Sequence, residues 1–285
     1  MTQPPRVIAI VPVYDPPEAA QEHVNELFSQ VDDVIVVDDG SSEAAEFGAV
    51  RCIRFDQNRG IAAALNAGVE EATALGAQYV LTVDQDSQLP PGYVKELLEC
   101  EDRALHAGLR PAAVGASEFG GMQHRGKWRN GVMVVAETIQ SGTLFDCAAL
   151  DAVSGFDESL VIDGVDTDLS LRLADAGWHI CVAPISFTHQ VGSGHFVRVL
   201  GRAVWSSNHP AYRRYYITRN GLLLLRRHGR KHLRWALIYA RRLVMASLLA
   251  SSGADQRSAM RQGIADAIRG RKGSLNDAQR QRWSS

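Results

Sequence analysis

At 285 residues, with 46% hydrophobic and 22% charged side chains, the chain can bury one large core plus an appendage, and its composition is not that of a disordered or fibrous protein. Met1 to Arg6 show no basic-then-apolar leader, and no run of about 18 uncharged apolar residues follows, so neither secretion nor a membrane span is expected and the cytoplasm is. The formal net charge of -2 hides an asymmetry: Gln190 to Ala254 contains twelve Lys or Arg and no Asp or Glu, leaving 18 basic against 32 acidic residues elsewhere.

Val7 to Tyr14 is an almost continuous apolar run, the pattern of a central parallel strand covered on both faces, and Asp15-Pro16-Pro17 ends it. Val24, Leu27, Phe28 and Val31 then recur at helical spacing, predicting a helix over about Glu18 to Gln30. A second strand, Val34 to Val37, closes on Asp38-Asp39-Gly40-Ser41-Ser42. Strand, helix and parallel strand make a right-handed βαβ unit, whose ligands bind beyond the carboxyl ends of the strands. Cys52 to Phe55 reads as a further strand, and Asn58-Arg59-Gly60 opens a helix of small residues running through Asn66 to Gly68, suited to close approach of a phosphate or of a neighbouring strand. There is neither a Gly-x-Gly-x-x-Gly after the first strand nor a Walker loop.

Tyr79 to Val83 is the next buried strand, and it stops on Asp84-Gln85-Asp86. Two carboxylates so spaced repel unless a cation or donors sit between them, and a hard divalent metal that also grips phosphate oxygens would do so; a solvated turn is the bland alternative. Pro90-Pro91 start another helix, short strands follow at Ala112 to Ala116, Gly131 to Ala136 and Ser141 to Cys147, and Glu118 to Asn130 reads as a mobile, Gly-rich loop. Asp163, Asp166 and Asp168 cluster at the start of a helix that stops at Gly177, where a carboxylate can cap the helix or act as a general base. Strands at Trp178 to Ala183 and Ile185 to Thr188 lead to His189, a candidate further metal ligand or a structural histidine. Cys52, Cys100, Cys147 and Cys181 lack metal or disulfide spacing and are expected to be buried free thiols.

Taken together and in this order, Pro12-Val13-Tyr14, Val37 to Ser41, Asn58-Arg59-Gly60 with Asn66, Asp84-Gln85-Asp86, and Asp166-Thr167-Asp168 with Arg172 resemble the family 2 inverting nucleotide-sugar glycosyltransferases, over about Val7 to His195. Ser141-Gly142, Ile162 to Asp168 and Tyr215-Tyr216-Ile217-Thr218-Arg219-Asn220 are similar to the rhamnosyltransferases among them. The resemblance implies an α/β GT-A fold, a Rossmann-like mixed sheet flanked by helices, in a catalytic domain 1–205 followed by a basic helical segment 206–285. It implies that Pro12, Tyr14, Asp39, Asn58, Gly60, Asn66 and Asp84 surround the donor, with Asp39 at the nucleobase and Asp84 near the ribose. Asp86, joined by His189, would hold Mg2+ or Mn2+ on the diphosphate, and Asp166 would be the base. Val165 stands where many members have Glu, and Leu65 where Arg is frequent, so only Asp166 can inherit the base role.

The activity so implied is transfer of L-rhamnose from dTDP-rhamnose, with inversion, to a hydroxyl of a glycan or lipid-linked glycan in cell-surface polysaccharide assembly. Alternatives are a galactofuranosyl or hexosyl transferase and a non-catalytic nucleotide-sugar binding protein. The basic segment either packs on the catalytic domain or makes peripheral contact with an anionic membrane, and nucleic acid is disfavoured because the remainder is acidic and shows no stacking platform.

Overall fold

Seven successive buried residues, Val7–Val13, form strand β1, and a computed structural model places them inside a mixed sheet. It describes residues 4–44, 46–189, 194–199, 202–207, 209–249, 253–276, 279 and 283. Two compact units result, Met1–Asp157 with Asp166–Gln190, and Glu158–Val165 with Val191–Ser285.

The first unit runs β1, α1 (Ala20–Leu27), β2 (Asp33–Asp38), β3 (Arg51–Arg54), α2 (Ile61–Ala74), β4 (Tyr79–Thr82), β5 (Ser87–Gln88), α3 (Tyr93–His106) and β6 (Pro111–Phe119). It continues through β7 (Met122–Gln123), β8 (Lys127–Arg129), β9 (Val132–Val135), β10 (Thr143–Asp146), α4 (Cys147–Ala152), α5 (Val165–Asp175) and β11 (His179–His189). The sheet order is β3-β2-β1-β4-β10-β6-β11-β9-β8, with β5 on β11 and β7 on β6. β3, β2, β1 and β4 are parallel, and β10 enters antiparallel between β4 and β6. The uninterrupted apolar runs of β1 and β2 follow from burial on both faces. α2 packs close because Gly68 has no side chain: a Cβ there would lie 2.3 Å from Ile10 Cγ2.

Three local expectations change. The segment 118–130 is not simply a loop, since Phe119 pairs with Met122 and Lys127 with Val134. The two strands expected after Gly177 are one, β11, interrupted by a register shift between Ala183 and Ser186. All four thiols are free, but Cys52 is exposed and Cys147 only half-buried; burial pushes the Cys147 and Cys181 thiols up to about 11 and about 12.

The second unit contains β12 (Gly194–Val199), β13 (Arg202–Ser207), α6 (Ala211–His228), α7 (Leu233–Leu249) and α8 (Ala254–Ile268). Its main stretch is Val191–Ser285, and among the described residues β12 and β13 pair only with each other. It also takes in Glu158–Val165, because α6 holds that segment's carbonyls: Asn220 Nδ2 donates to Leu160, Ile162 and Asp163 O, each at 2.8 Å, and Arg219 Nη2 to Ser159 and Leu160 O at 3.3 and 3.2 Å. The arginines of this region therefore differ in kind. Arg219 and Arg214 are 1% and 5% exposed and belong to the interior. Most of the chain after Asn276 lies outside the described residues, but Trp283 is buried beside Tyr215, ring centroids 5.8 Å apart. No helix among the described residues is long and apolar enough to cross a membrane.

Candidate functional site

The carboxyl ends of β2, β1 and β4 bring three acidic loops together in the first unit. At the end of β2, Asp38 is buried and spent on structure, pairing with Arg54 Nη1 at 2.9 Å and accepting the Ser41 N–H at 2.8 Å. Its neighbour Asp39 accepts the N–H groups of Arg59 and Gly60 at 2.6 and 2.9 Å, so its carboxylate shapes the turn that carries Asn58 into α2. Gly40 permits this approach: at φ +75° it adopts a conformation open to glycine, and a Cβ would lie 2.4 Å from the Gln57 carbonyl carbon. The Arg59 guanidinium lies over the Phe55 ring, 4.5 Å from its centroid. The Asn58 side chain is half-buried with no hydrogen-bond partner among the described residues.

Pro12 is buried in β1 opposite Val37, and Tyr14 just beyond is 42% exposed. The β1 end is stitched to the β2 loop by the Asp39 N–H to Val13 O at 2.8 Å and by Asp15, whose carboxylate accepts the Ser42 N–H and hydroxyl at 2.8 and 2.6 Å. It is stitched to the β4 end by Gln85, which accepts the Tyr14 N–H at 2.9 Å and donates to the Tyr14 carbonyl at 3.4 Å.

At the β4 end, the Asp84 N–H donates to Ser141 Oγ at 2.9 Å, and its carboxylate accepts from Gln140 Nε2. Ser141 Oγ also bonds Ser87 Oγ at 2.8 Å, and the Tyr93 hydroxyl donates to Gly142 O at 2.7 Å. Burial pushes the Tyr93 phenol up, so it remains a donor there. Asp86 is half-buried and its carboxylate has no partner among the described residues. His189 pairs with Ser87 in the β11–β5 ladder, which sets its backbone beside the residue after Asp86. A half-buried, uncommitted carboxylate is a suitable donor for a hard divalent cation. No three metal-binding side chains converge among the described residues.

Asp166 is half-buried in the first turn of α5, and the same turn is tied to the β9–β10 connection by the Thr167 hydroxyl, which donates to Glu137 Oε2 at 3.1 Å. Glu137 lies three residues before Gln140, so α5 is linked to the segment that holds Asp84. Asp168 is fully buried and pairs with Arg172 Nε at 2.6 Å. In the second unit Asp163 takes both hydrogen bonds of Arg213, at 2.7 and 3.2 Å. Asn66, expected at the donor, is engaged on both polar atoms by the backbone of Phe156.

Sequence reasoning did not single out Gln85, Gln140 or Glu137 as part of this network. Gln85 was legible only as the spacer between two aspartates, whereas Ser141 lay within a stretch that carries the resemblance.

Residues 8–132 match the family described as Glycosyl transferase family 2. The chain is similar to the dTDP-rhamnosyl transferase RfbF of Shigella flexneri, 28% identical over 243 residues that cover 78% of this chain and 80% of that one. Among solved structures it is similar to S. aureus TarS, with TM-score 0.59 and 16% identity over 93% of this chain and 49% of that one. It is also similar to GalNAc-T7, solved with UDP, GalNAc and Mn2+, with TM-score 0.53 and 11% identity over 69% of this chain and 44% of that one. The chain thus spans less than half of either solved relative, and these likenesses concern the fold.

Proposed function

We propose that this chain, whose residues 8–132 match the family described as Glycosyl transferase family 2, transfers L-rhamnose from dTDP-rhamnose, with inversion, to a hydroxyl of a glycan or lipid-linked glycan in cell-surface polysaccharide assembly. The observation that carries the reaction class is the Gln85 link, which fixes an acidic strand end beside the first strand's loop at a carboxyl sheet edge. The rhamnosyl donor is supported by the similarity to a dTDP-rhamnosyl transferase across most of both chains.

In this reading the loops bearing Pro12, Tyr14, Asp39, Asn58 and Gly60 receive the nucleoside, Asn66 steadies the helix behind them, and Asp84 lies near the ribose. Asp86 with His189 would hold a divalent cation, Mg2+ or Mn2+; when bound it would supply charge stabilisation for the departing diphosphate. Asp86 fits that role because its carboxylate is not committed to another protein group among the described residues. The acceptor hydroxyl oxygen attacks the anomeric carbon, the bond from that carbon to the diphosphate oxygen breaks, and the nucleoside diphosphate leaves with the electron pair. Asp166 takes the hydroxyl proton. Asp168 and Asp163 are each held in an arginine pair.

Incubating the full chain with dTDP-rhamnose, UDP-galactose and UDP-galactofuranose, with and without glycan acceptors and Mg2+ or Mn2+, tests the reading. Acceptor-dependent release of dTDP with a product of inverted anomeric configuration is expected. Turnover confined to another donor would reassign the sugar, and donor binding without turnover would make the chain a binding protein.

A further inference from the structure

The turn that leads into β10 holds one polar side chain still. Thr82 Oγ1 and the Thr143 N–H, the latter at 3.1 Å, both donate to the Gln140 carbonyl, and the Gly142 N–H donates to Thr82 O at 2.8 Å, so the turn is fastened to the last residue of β4. Gly142 completes it at φ +69°, where a Cβ would lie 2.7 Å from Phe187 Cε1. From this turn the Gln140 side chain, 6% exposed, reaches Asp84 and gives Nε2 to its Oδ1. Ser141 Oγ accepts the Asp84 N–H at 2.9 Å. Two consecutive residues thus hold Asp84 by its backbone and by its side chain.

The other end of the Gln140 amide is left over: Oε1 is buried and has no hydrogen-bond partner among the described residues. Turning the amide over would set Oε1 against Asp84 Oδ1, acceptor against acceptor, so the observed orientation is the one that serves the carboxylate. A buried acceptor without a partner destabilises the fold, and an apolar side chain of similar length would avoid that cost. What Nε2 does for Asp84 therefore accounts for a glutamine at this position. A carboxylate offers about four acceptor positions, so one donor orients the group without filling it.

We propose that Gln140 is a positioning residue for the donor: its Nε2 fixes the plane of the Asp84 carboxylate so that the oxygen turned away from Gln140 accepts a hydrogen bond from a hydroxyl of the bound nucleotide. This rests on the donor-site reading above, in which Asp84 lies near the ribose. A carboxylate held in one orientation before the ligand arrives meets that hydroxyl without first being ordered.

Calorimetry of dTDP with Mg2+ on the full chain tests the proposal through Asp84→Asn, Gln140→Glu, Gln140→Met and the double variant D84N/Q140E. In Asp84→Asn the introduced amide gives its oxygen to Gln140 Nε2 and so turns its NH2 toward the hydroxyl; in Gln140→Glu two carboxylates face each other. Each is expected to bind dTDP about ten-fold or more weakly. In D84N/Q140E donor and acceptor change places, the introduced amide giving its NH2 to the introduced carboxylate and its oxygen to the hydroxyl, and affinity is expected within about three-fold of the parent. Gln140→Met, which keeps the length and loses only the donor, is expected to weaken binding about ten-fold with a thermal melt close to the parent's. In turnover with dTDP-rhamnose it should raise the donor KM and leave kcat within about two-fold.

Losses that add in the double variant overturn the proposal, as does parental affinity in Gln140→Met. A lower melt with unchanged affinity in the Gln140 variants makes the residue structural only and overturns it as well. A parent that binds none of dTDP, UDP or GDP removes the donor-site reading and the positioning role together, whereas a parent that binds while the losses add removes the positioning role alone.

Discussion

Asn66 on α2 and Phe156 exchange two hydrogen bonds, Nδ2 to the carbonyl and the N–H to Oδ1, both at 2.9 Å. They lie 90 residues apart in sequence, so one side chain closes a long loop and satisfies a backbone donor and acceptor that are partly shielded from water. Asn66→Ala leaves both groups without partners. A loss of about 2–3 kcal/mol, seen as a melting temperature lower by roughly 4–8 °C, is expected in a thermal unfolding experiment. An unchanged melt would mean that water replaces the amide at no cost.

Asp86→Ala should abolish metal-dependent binding of the donor diphosphate, because the uncommitted carboxylate is the group proposed to bridge to the cation. Calorimetry of dTDP with and without Mg2+ checks this. Affinity that still rises with Mg2+ in the variant would locate the cation on other ligands.

Asp166→Asn keeps the shape of the side chain and removes its ability to accept a proton. Donor affinity should stay within about two-fold of the parent, while turnover falls by roughly 10²-fold or more. Near-parental turnover combined with a lower melting temperature would make Asp166 a helix cap.

His209 makes the second unit sensitive to acid. Burial, then the adjacent Arg213, lower its pKa from 6.5 to about 4; Arg214 acts in the same direction and Asp163 opposes them. The unfolded chain therefore binds a proton more readily than the folded one. Stability is fully present above about pH 6.5 and declines as pH falls from there toward 4. Urea unfolding followed across that range should show the decline, and His209→Asn should flatten it relative to the parent.

The sequence by itself determined the core of the sheet and the positions of its acidic ends. Val7–Val13 and Val34–Val37 are apolar without interruption, and a strand covered on both faces accepts little else, so Asp39, Asp84 and Asp86 could be placed at carboxyl ends from local pattern alone. Tertiary structure decided what those residues touch. Gln140 reaches Asp84 across 56 residues and Gln85 reaches Tyr14 across 71, and no periodicity encodes either approach, because a glutamine at a loop position has the same local signature whatever it meets. The basic segment shows the same division. Its charge excess was countable, yet only the folded second unit separates Arg219, buried on the carbonyls of Ser159 and Leu160, from Arg234, which faces solvent. Hydrophobic alternation is written residue by residue, whereas the partner of a polar group is chosen by which distant segments the core brings together.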